Sequence, residues 1–182
     1  MENNNEEKVC CPKFNPEKWD KKTVNFKDKK FIKERVRSLF HIPLNFGSVM
    51  KKSCDKIEKA NAGMDMKDFI LLSDENSLWG ADIYLSVLTE VPGANNVKIS
   101  GEFLTKVFEG SYKDMGKWVK EMEKYVSAKN KKIEKLYFYY TTCPKCAKKY
   151  GKNYVVILAK VLMGWMFLRG LLFKWLNSVF LV

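Results

Sequence analysis

An aromatic run that leads directly into a Cys-x-x-Cys motif constrains the fold of this chain more than any other feature. Residues 137–140 are all aromatic, and Cys143 and Cys146 follow them closely. Strands favour aromatic side chains and alternate them between two faces, so Tyr137 and Tyr139 share one face. A strand that ends in a thiol pair can line a pocket, hold a metal ion or carry redox chemistry.

The hydrophobic periodicity along the chain predicts the same unit twice. Each unit is a strand, a helix and two further strands. The predicted strands cover residues 36–44, 69–72, 79–91, 97–109, 133–142 and 154–161, and the predicted helices end near residues 60 and 126. We therefore predict an α+β fold, in which duplicated βαββ units form an antiparallel sheet with helices on one face and a central groove.

Three regions of different composition define the predicted domain organisation. Residues 1–9 are polar and predict a disordered tail, whereas residues 10–161 predict one domain. Within that domain, residues 10–38 are expected to form a lead-in that packs onto the sheet, with Trp19 as an anchor. Residues 162–182 form an apolar tail, for which a membrane anchor or interfacial helix, a packed helix and a non-native extension are the alternatives.

The basic charge of the chain bears on its partners. The net charge is +12, from 33 basic and 21 acidic residues. Such a balance suits nucleic acids, anionic membranes or acidic ligands. The lysines are spread over the whole chain without a nucleic-acid-binding motif, so we do not expect a nucleic-acid partner. We expect a solvated basic surface, with membrane contact confined to the apolar tail.

The cysteines and the N-terminus indicate the compartment. The polar start of the chain lacks the apolar stretch of a secretory signal, and its five cysteines are not arranged as a disulfide framework. We therefore expect a cytoplasmic protein with reduced thiols. The single histidine, His41, excludes catalytic or metal sites that need several imidazoles, and its apolar surroundings favour a core position.

Four cysteines could form one site although they lie at opposite ends of the domain. Cys10 and Cys11 are adjacent, and Cys143 and Cys146 form the Cys-x-x-Cys motif. Zinc prefers four such ligands in a tetrahedron, although neighbouring side chains of an extended chain diverge. No cofactor is required by the pattern. A zinc site, a redox pair at Cys143 and Cys146, and structurally packed thiols are the alternatives.

Aromatic and acidic residues supply the other candidates. The expected ligand-binding residues are Trp79, Asp82, Tyr84, Trp118 and Tyr137. Strand alternation places Asp82 and Tyr84 on the same face. Trp118 also fits the apolar stripe of a helix, where a core position is the usual role. The expected catalytic residues are Glu109 and Tyr139, because a carboxylate in an aromatic groove suits general acid–base chemistry.

Three segments of the chain resemble the gyrase-inhibitor-like family of small-molecule-binding domains. They are Cys-Cys-Pro-Lys-Phe at 10–14, the strand–Gly-Ser-Tyr–helix junction within 106–118, and the segment at 140–154 that contains the Cys-x-x-Cys motif. The first and third resemble a cysteine-bearing subgroup of bacterial proteins that are named hydrolases. The resemblance covers residues 10–161 and implies a duplicated βαββ domain that binds amphipathic, often aromatic or cationic, molecules.

These observations lead to one main functional hypothesis and two alternatives. The main hypothesis is that an aromatic groove binds a hydrophobic or cationic small molecule and hydrolyses it, with Glu109 activating water and Tyr139 or Tyr137 positioning the ligand. The first alternative is a binding or sequestering module without turnover. The second is a thiol or zinc protein built on the Cys-x-x-Cys motif.

Overall fold

The computed structural model describes residues 11–39, 42–77 and 79–163. Within this part of the chain the strands are β1 (Thr23–Leu39), β2 (Ile42–Pro43), β3 (Leu71–Ser77), β4 (Gly80–Ser86), β5 (Asn96–Glu109), β6 (Lys131–Tyr140) and β7 (Tyr154–Met163). The helices are α1 (Phe46–Lys59), α2 (Met115–Ser127) and α3 (Pro144–Tyr150). The predictions for residues 1–10, including Cys10, for His41 and for residues 164–182 lie outside the described residues.

The strands form an antiparallel sheet that closes on itself. The sheet order is β2-β1-β4-β3-β6-β7-β5, and β1 pairs with β5 as well as with β4. The unit β1-α1-β3-β4 is repeated as β5-α2-β6-β7, and equivalent strands make equivalent pairings. The predicted α+β fold built from duplicated βαββ units is therefore confirmed.

The first strand corrects the prediction of a lead-in over residues 10–38. Most of that segment is β1, a central strand of the sheet rather than a covering segment. Its alternation is hidden in the sequence because the pairing with β5 shifts register just after Phe26. At the shift, Asp28 has a positive φ of 48°, and its carboxylate accepts a hydrogen bond from the Ser100 hydroxyl at 2.8 Å. The bulge lets Phe26 and Phe31 pack in one cluster although they are five positions apart.

Several other element bounds also differ from the prediction. The predicted strand over 36–44 is the end of β1 followed by β2, and residues 73–77, which lie outside the predicted strands, belong to β3. The strand predicted over 79–91 ends at Ser86, and a short helix, α3, follows the first cysteine of the Cys-x-x-Cys motif. Strand β7 continues to Met163, two residues beyond the predicted domain end. Among the described residues, no helix has the length and apolar character needed to cross a membrane.

Three apolar clusters divide the fold into layers. Helix α2 buries Trp118, Met122 and Val126 against one part of the outer face of the sheet. Helix α1 covers a second part of that face, where Ile57 packs near Ile32 and other aliphatic residues. Both helices have their apolar residues in one stripe, which explains why each packs by a single face.

The inner face of the sheet holds the third cluster. Its buried members are Phe26, Phe31, Ile70, Leu72, Tyr84, Ile99, Phe103, Tyr137, Val156 and Leu158. Phe103 is fully buried at the centre, with its ring centroid 4.8 Å from that of Phe26 and 6.1 Å from that of Tyr137. Closure of the sheet therefore turns much of the expected central groove into a packed aromatic interior.

We expect Phe103→Ala to lower the free energy of unfolding by about 3–5 kcal/mol, because it removes a fully buried ring from the interior. Chemical denaturation followed by circular dichroism measures the change. Leu88→Ala is the matched control, since this side chain is 58% exposed and its truncation should cost less than about 0.5 kcal/mol. Equal losses in the two variants would contradict the assignment of the interior cluster as the main core.

Candidate functional site

The aromatic strand β6 divides its side chains between the two layers, as alternation predicts. Tyr137 is buried in the interior cluster and Tyr139 packs against that cluster. Phe138 and Tyr140 belong to the layer under α2. Tyr84 joins the inner set, with its ring centroid 5.7 Å from that of Tyr137 in an edge-to-face arrangement. The prediction that Tyr137 and Tyr139 share one face of the strand is therefore confirmed.

Two lysines lie over these inner aromatic rings. The Lys135 ammonium is 5.1 Å from the centroid of Tyr137 and forms an ion pair of 2.5 Å with Asp74. The Lys33 ammonium is 5.8 Å from the centroid of Tyr84. Aromatic faces attract cations at such distances. Here the ammonium groups of Lys33 and Lys135 already occupy the positions over the rings that a ligand cation would take. This end of the interior is therefore poorly suited to a cationic ligand.

Asp82 belongs to the same charged network. Its carboxylate lies 2.9 Å from the Lys33 ammonium and 3.0 Å from the Arg35 guanidinium. Burial alone would raise the pKa of Asp82, but the hydrogen bonds from Lys33 and Arg35 outweigh it and lower that pKa. The hydrogen bond with Asp82 in turn raises the pKa of Lys33. Asp82 therefore stabilises the wall of the interior.

The N-terminal segment, residues 11–22, covers the opposite end of the interior. The ring of Trp19 lies 5.5 Å from that of Tyr139, and the ring of Phe14 lies 6.2 Å from it. The Thr105 hydroxyl donates to the carbonyl of Trp19, and the backbone N–H of Val107 donates to a carboxylate oxygen of the segment at 3.1 Å. Burial raises the pKa of Tyr139 to about 12, so this phenol keeps its proton at neutral pH.

A cleft of about 560 Å³ lies between this N-terminal segment and the ends of β5 and β7. It is lined by Pro16, Glu17, Asp20, Lys22, Val107, Glu109 and Tyr154. Three of these residues are carboxylates and one is a lysine. A smaller cavity of about 240 Å³ lies beside β1 and β5 and is lined by Lys30, Phe31, Glu90, Asn96, Val97 and Lys98. The larger cleft is the better candidate site, because it has the greater volume and its lining combines an aromatic ring with three carboxylates, whereas the smaller cavity has one carboxylate.

Glu109 stands at the edge of the larger cleft. Its side chain is 49% exposed, and its carboxylate lies 3.6 Å from the Lys152 ammonium. The same ammonium donates a hydrogen bond to the Tyr154 hydroxyl at 3.1 Å, and Tyr154 is the direct strand partner of Glu109. The hydrogen bond with Tyr154 and the charge of Glu109 raise the pKa of Lys152. Glu109 therefore lies in a polar cluster and not in the apolar groove expected from the sequence.

Glu109 and Tyr139, the expected catalytic pair, do not lie next to each other. Tyr139 faces Val156 across one strand pairing, and Val156 faces Val107 across the next. Two strand spacings and a further offset of two residues place the backbones of Glu109 and Tyr139 about 12 Å apart. Tyr154 is the phenol that accompanies Glu109.

The two predicted tryptophans lie apart from both regions. Trp79 is 61% exposed and lies between β3 and β4. Trp118 is buried under α2, where its ring stacks on Phe108 with centroids 5.6 Å apart. Trp118 therefore has the core position that the apolar stripe of its helix indicates, on the opposite face of the sheet from Tyr84 and Tyr137. Neither tryptophan lines the cleft.

Sequence reasoning missed a carboxylate–phenol pair where β3 meets β6. The Tyr140 hydroxyl donates a hydrogen bond to Glu75, and the Tyr112 ring lies 5.4 Å from that of Tyr140. Burial, followed by the nearby Glu75 charge, raises the pKa of Tyr140. Glu75 lies in a polar run outside the predicted strands, so the sequence alone did not indicate that it pairs with Tyr140.

Three of the four predicted thiol ligands converge. The sulfur atoms of Cys11, Cys143 and Cys146 all lie within 4.8 Å of one another. The backbone N–H of Cys143 also lies 3.4 Å from the Cys11 sulfur. Cys146 is buried, and the other two are partly buried. Cys54 lies exposed on α1, apart from this thiol cluster.

Comparisons with known proteins agree with this fold. The sequence profile of a family described as "Bacterial hydrolase" matches residues 1–161. The EcmrR C-terminal domain has a similar structure, with a TM-score of 0.60, 8% identity, and coverage of 78% of this chain and 96% of that chain. A hydrolase from Listeria innocua gives a TM-score of 0.55 and 10% identity, with coverage of 78% of this chain and 91% of that chain.

An uncharacterized conserved protein from Listeria innocua is similar to the same extent, with a TM-score of 0.56, 8% identity, and coverage of 78% of this chain and 91% of that chain. No protein of curated function matches the sequence. At these identities the structural likeness concerns the fold alone. The chain has the fold of these domains, which agrees with the resemblance of its sequence to the gyrase-inhibitor-like family. The chain belongs to the bacterial hydrolase family.

We expect Asp82→Asn to lower the free energy of unfolding by about 1 kcal/mol at pH 7, because Lys33 and Arg35 lose a charged partner. The folded pKa of Asp82 is depressed, so its contribution exists above the unfolded value of about 3.9 and fades as pH falls through the folded pKa. Urea unfolding at pH 7 and pH 3 measures the difference from the parent protein. The exposed Glu123→Gln variant is the control, and a pH-independent difference for Asp82→Asn would contradict a stabilising role of the Asp82 charge.

Proposed function

We propose that this protein binds an amphipathic organic cation in the larger cleft. The observation that carries the proposal is the local charge of that cleft. Glu17, Asp20 and Glu109 line it together with a single lysine, Lys22, whereas the chain as a whole has a net charge of +12. Three carboxylates and one lysine give the lining of this cleft a net negative charge on a protein that is basic as a whole.

Screening lets this local charge govern binding. At physiological ionic strength the field of exposed charges decays over about 8 Å, so lysines elsewhere on the surface act weakly on a ligand in the cleft. Lys152 lies closer and forms an ion pair with Glu109. That pair leaves Glu17 and Asp20, both in the N-terminal segment, as the remaining carboxylates of the cleft, and Asp20 also accepts a backbone hydrogen bond from Val107. A ligand cation bound beside Glu17 and Asp20 would neutralise the negative charge of these carboxylates.

The apolar part of the ligand has an aromatic neighbour in the same place. Tyr154 lines the cleft, and its ring lies 5.6 Å from that of Phe14. Phe14 in turn contacts Tyr139, so Tyr139 supports the aromatic wall from behind. Tyr84 and Tyr137 support the interior more deeply, where Lys33 and Lys135 cover their rings. The proposed ligand therefore meets Tyr154 and the carboxylates first.

Hydrolysis of the bound molecule is the second candidate function, and the family match favours it. In this proposal Glu109 takes a proton from water, and the Lys152 ammonium and the Tyr154 hydroxyl donate hydrogen bonds to the oxygen that gains charge. The polar cluster of these three residues supports the assignment, because it brings a base and two donors to one side of the cleft. Tyr154 thus takes the role first expected of Tyr139.

We expect ethidium, a planar aromatic cation, to bind the full-length protein saturably, as measured by fluorescence and isothermal titration calorimetry. Glu17→Gln and Glu109→Gln should each weaken binding by roughly 2–5-fold, since each removes one partly exposed charge. Glu123→Gln, on the exposed face of α2, is the control and should leave affinity unchanged. Equal affinity for the anion anilinonaphthalene sulfonate, or no loss in the two cleft variants, would overturn the binding proposal.

Turnover has a separate test with benzoylcholine, an aromatic ester that carries a quaternary ammonium group. We expect absorbance assays to show catalysed hydrolysis that Glu109→Gln reduces by roughly 100-fold or more, as expected on loss of a general base. Tyr154→Phe should lower kcat more than it raises KM. Ethidium affinity measured on the same variants separates binding from chemistry. Saturable binding with no ester cleavage would support a binding module and remove the ester hydrolase candidate.

A further inference from the structure

We infer that Cys11, Cys143 and Cys146 bind a zinc ion, which fastens the N-terminal segment to the folded domain. Their sulfur atoms lie within 4.8 Å of one another. In a tetrahedral zinc site each sulfur is about 2.3 Å from the metal, which corresponds to sulfur–sulfur distances of about 3.8 Å. Small side-chain rotations therefore convert this thiol cluster into a metal-binding geometry.

The local backbone presents the two thiols of the Cys-x-x-Cys motif to the same point. Cys143 has an extended conformation and directly precedes α3, and a proline begins the helix. Cys146 lies in the first turn of α3 and is buried. A cysteine before a turn and another three positions later form a knuckle, which is a common half of structural zinc sites.

The third thiol comes from a distant part of the sequence. Cys11 is separated from Cys143 by 132 positions, and the backbone nitrogen of Cys143 lies 3.4 Å from the sulfur of Cys11. The Tyr150 hydroxyl holds the same segment by donating a hydrogen bond to the Cys11 carbonyl at 2.7 Å. A disulfide would join only two of the three thiols, whereas a thiophilic metal engages all three. Water can supply the fourth ligand that a tetrahedral zinc ion needs beside these three thiolates.

The surrounding charge suits an anionic metal–thiolate group. Zinc with three or four thiolates carries a net negative charge. Helix α3 contributes Lys145, Lys148 and Lys149 within its seven residues, beside Cys146. This concentration of lysine offsets the thiolate charge without supplying competing metal ligands, since a protonated lysine has no lone pair to donate.

Metal binding at Cys11 also affects the cleft, because the same segment forms one of its walls. Cys11 lies five residues before Pro16, and Pro16 through Lys22 supply one wall of the cleft. Phe14, between the metal site and that wall, contacts Tyr139. Without the metal, the segment would rely on its remaining hydrogen bonds and on these ring contacts. Zinc therefore fixes the wall that carries Glu17 and Asp20, a structural role that does not depend on whether the cleft binds a cation.

The test is metal analysis of the full-length protein together with single cysteine variants. We expect about one zinc per chain in the parent protein and in the control Cys54→Ser, whose cysteine lies exposed on α1, and a loss of about tenfold in Cys143→Ser and Cys146→Ser. Cobalt substitution should give the intense visible bands of a tetrahedral thiolate site. Cys11→Ser should lose metal and show faster hydrogen exchange in residues 11–22, with unchanged exchange in β7.

Chelation of the parent protein keeps the test independent of variants that fail to fold. Removing zinc with 1,10-phenanthroline should lower the melting temperature and speed exchange in residues 11–22, and adding zinc back should reverse both changes. Full zinc content in Cys11→Ser, a metal-free parent protein that takes up no cobalt, or a disulfide found by mass spectrometry without reduction would each overturn the inference. Because these readouts use no ligand, failure of the metal site and failure of the proposed ligand binding remain distinguishable.

Discussion

Hydrogen bonding of β1 to two different strands is the constraint on which the rest of this structure depends. One part of β1 pairs with β5 and a later part pairs with β4, so a single strand links the two βαββ halves and closes the sheet. The bulge after Phe26 lies within the part of β1 that pairs with β5, and it changes which side chains face inward, so Phe26 and Phe31 both reach the interior. Closure then creates an interior large enough for several aromatic rings, which fill it instead of leaving an open groove.

The two ends of this interior are covered by different kinds of groups. At one end Asp74, Asp82, Lys33 and Lys135 form ion pairs around the rings of two tyrosines. At the other end the N-terminal segment covers Tyr139 and leaves an acidic cleft beside it. At the first end the carboxylates are paired with lysines, whereas at the second end Glu17 and Asp20 line a cleft that solvent can enter. The candidate site therefore lies where the chain adds a segment to the repeated units.

Local pattern was enough to predict the duplicated units, both long helices and the face that Tyr137 and Tyr139 share, because those features depend on periodicity within one element. It was not enough for β1, whose alternation is broken by a bulge that only its partner β5 explains. Likewise, the association of Glu109 with Lys152 and Tyr154 depends on the β5–β7 register, which a single sequence does not encode locally. The convergence of Cys11 with the Cys-x-x-Cys motif was accessible as a hypothesis because matching chemistry lay at both ends of the domain.

The two contacts between the repeated halves are unequal. Strands β1 and β5 face each other over much of their length, whereas the described register between β3 and β6 joins Leu72 to Tyr139 and Ser73 to Phe138. The bond from Tyr140 to Glu75 extends that shorter contact through side chains. The closed sheet is therefore held by one extensive strand pairing and one short one. Thermal opening would begin at the short β3–β6 pairing, which gives the interior a preferred route to solvent while β1 and β5 keep the two halves together.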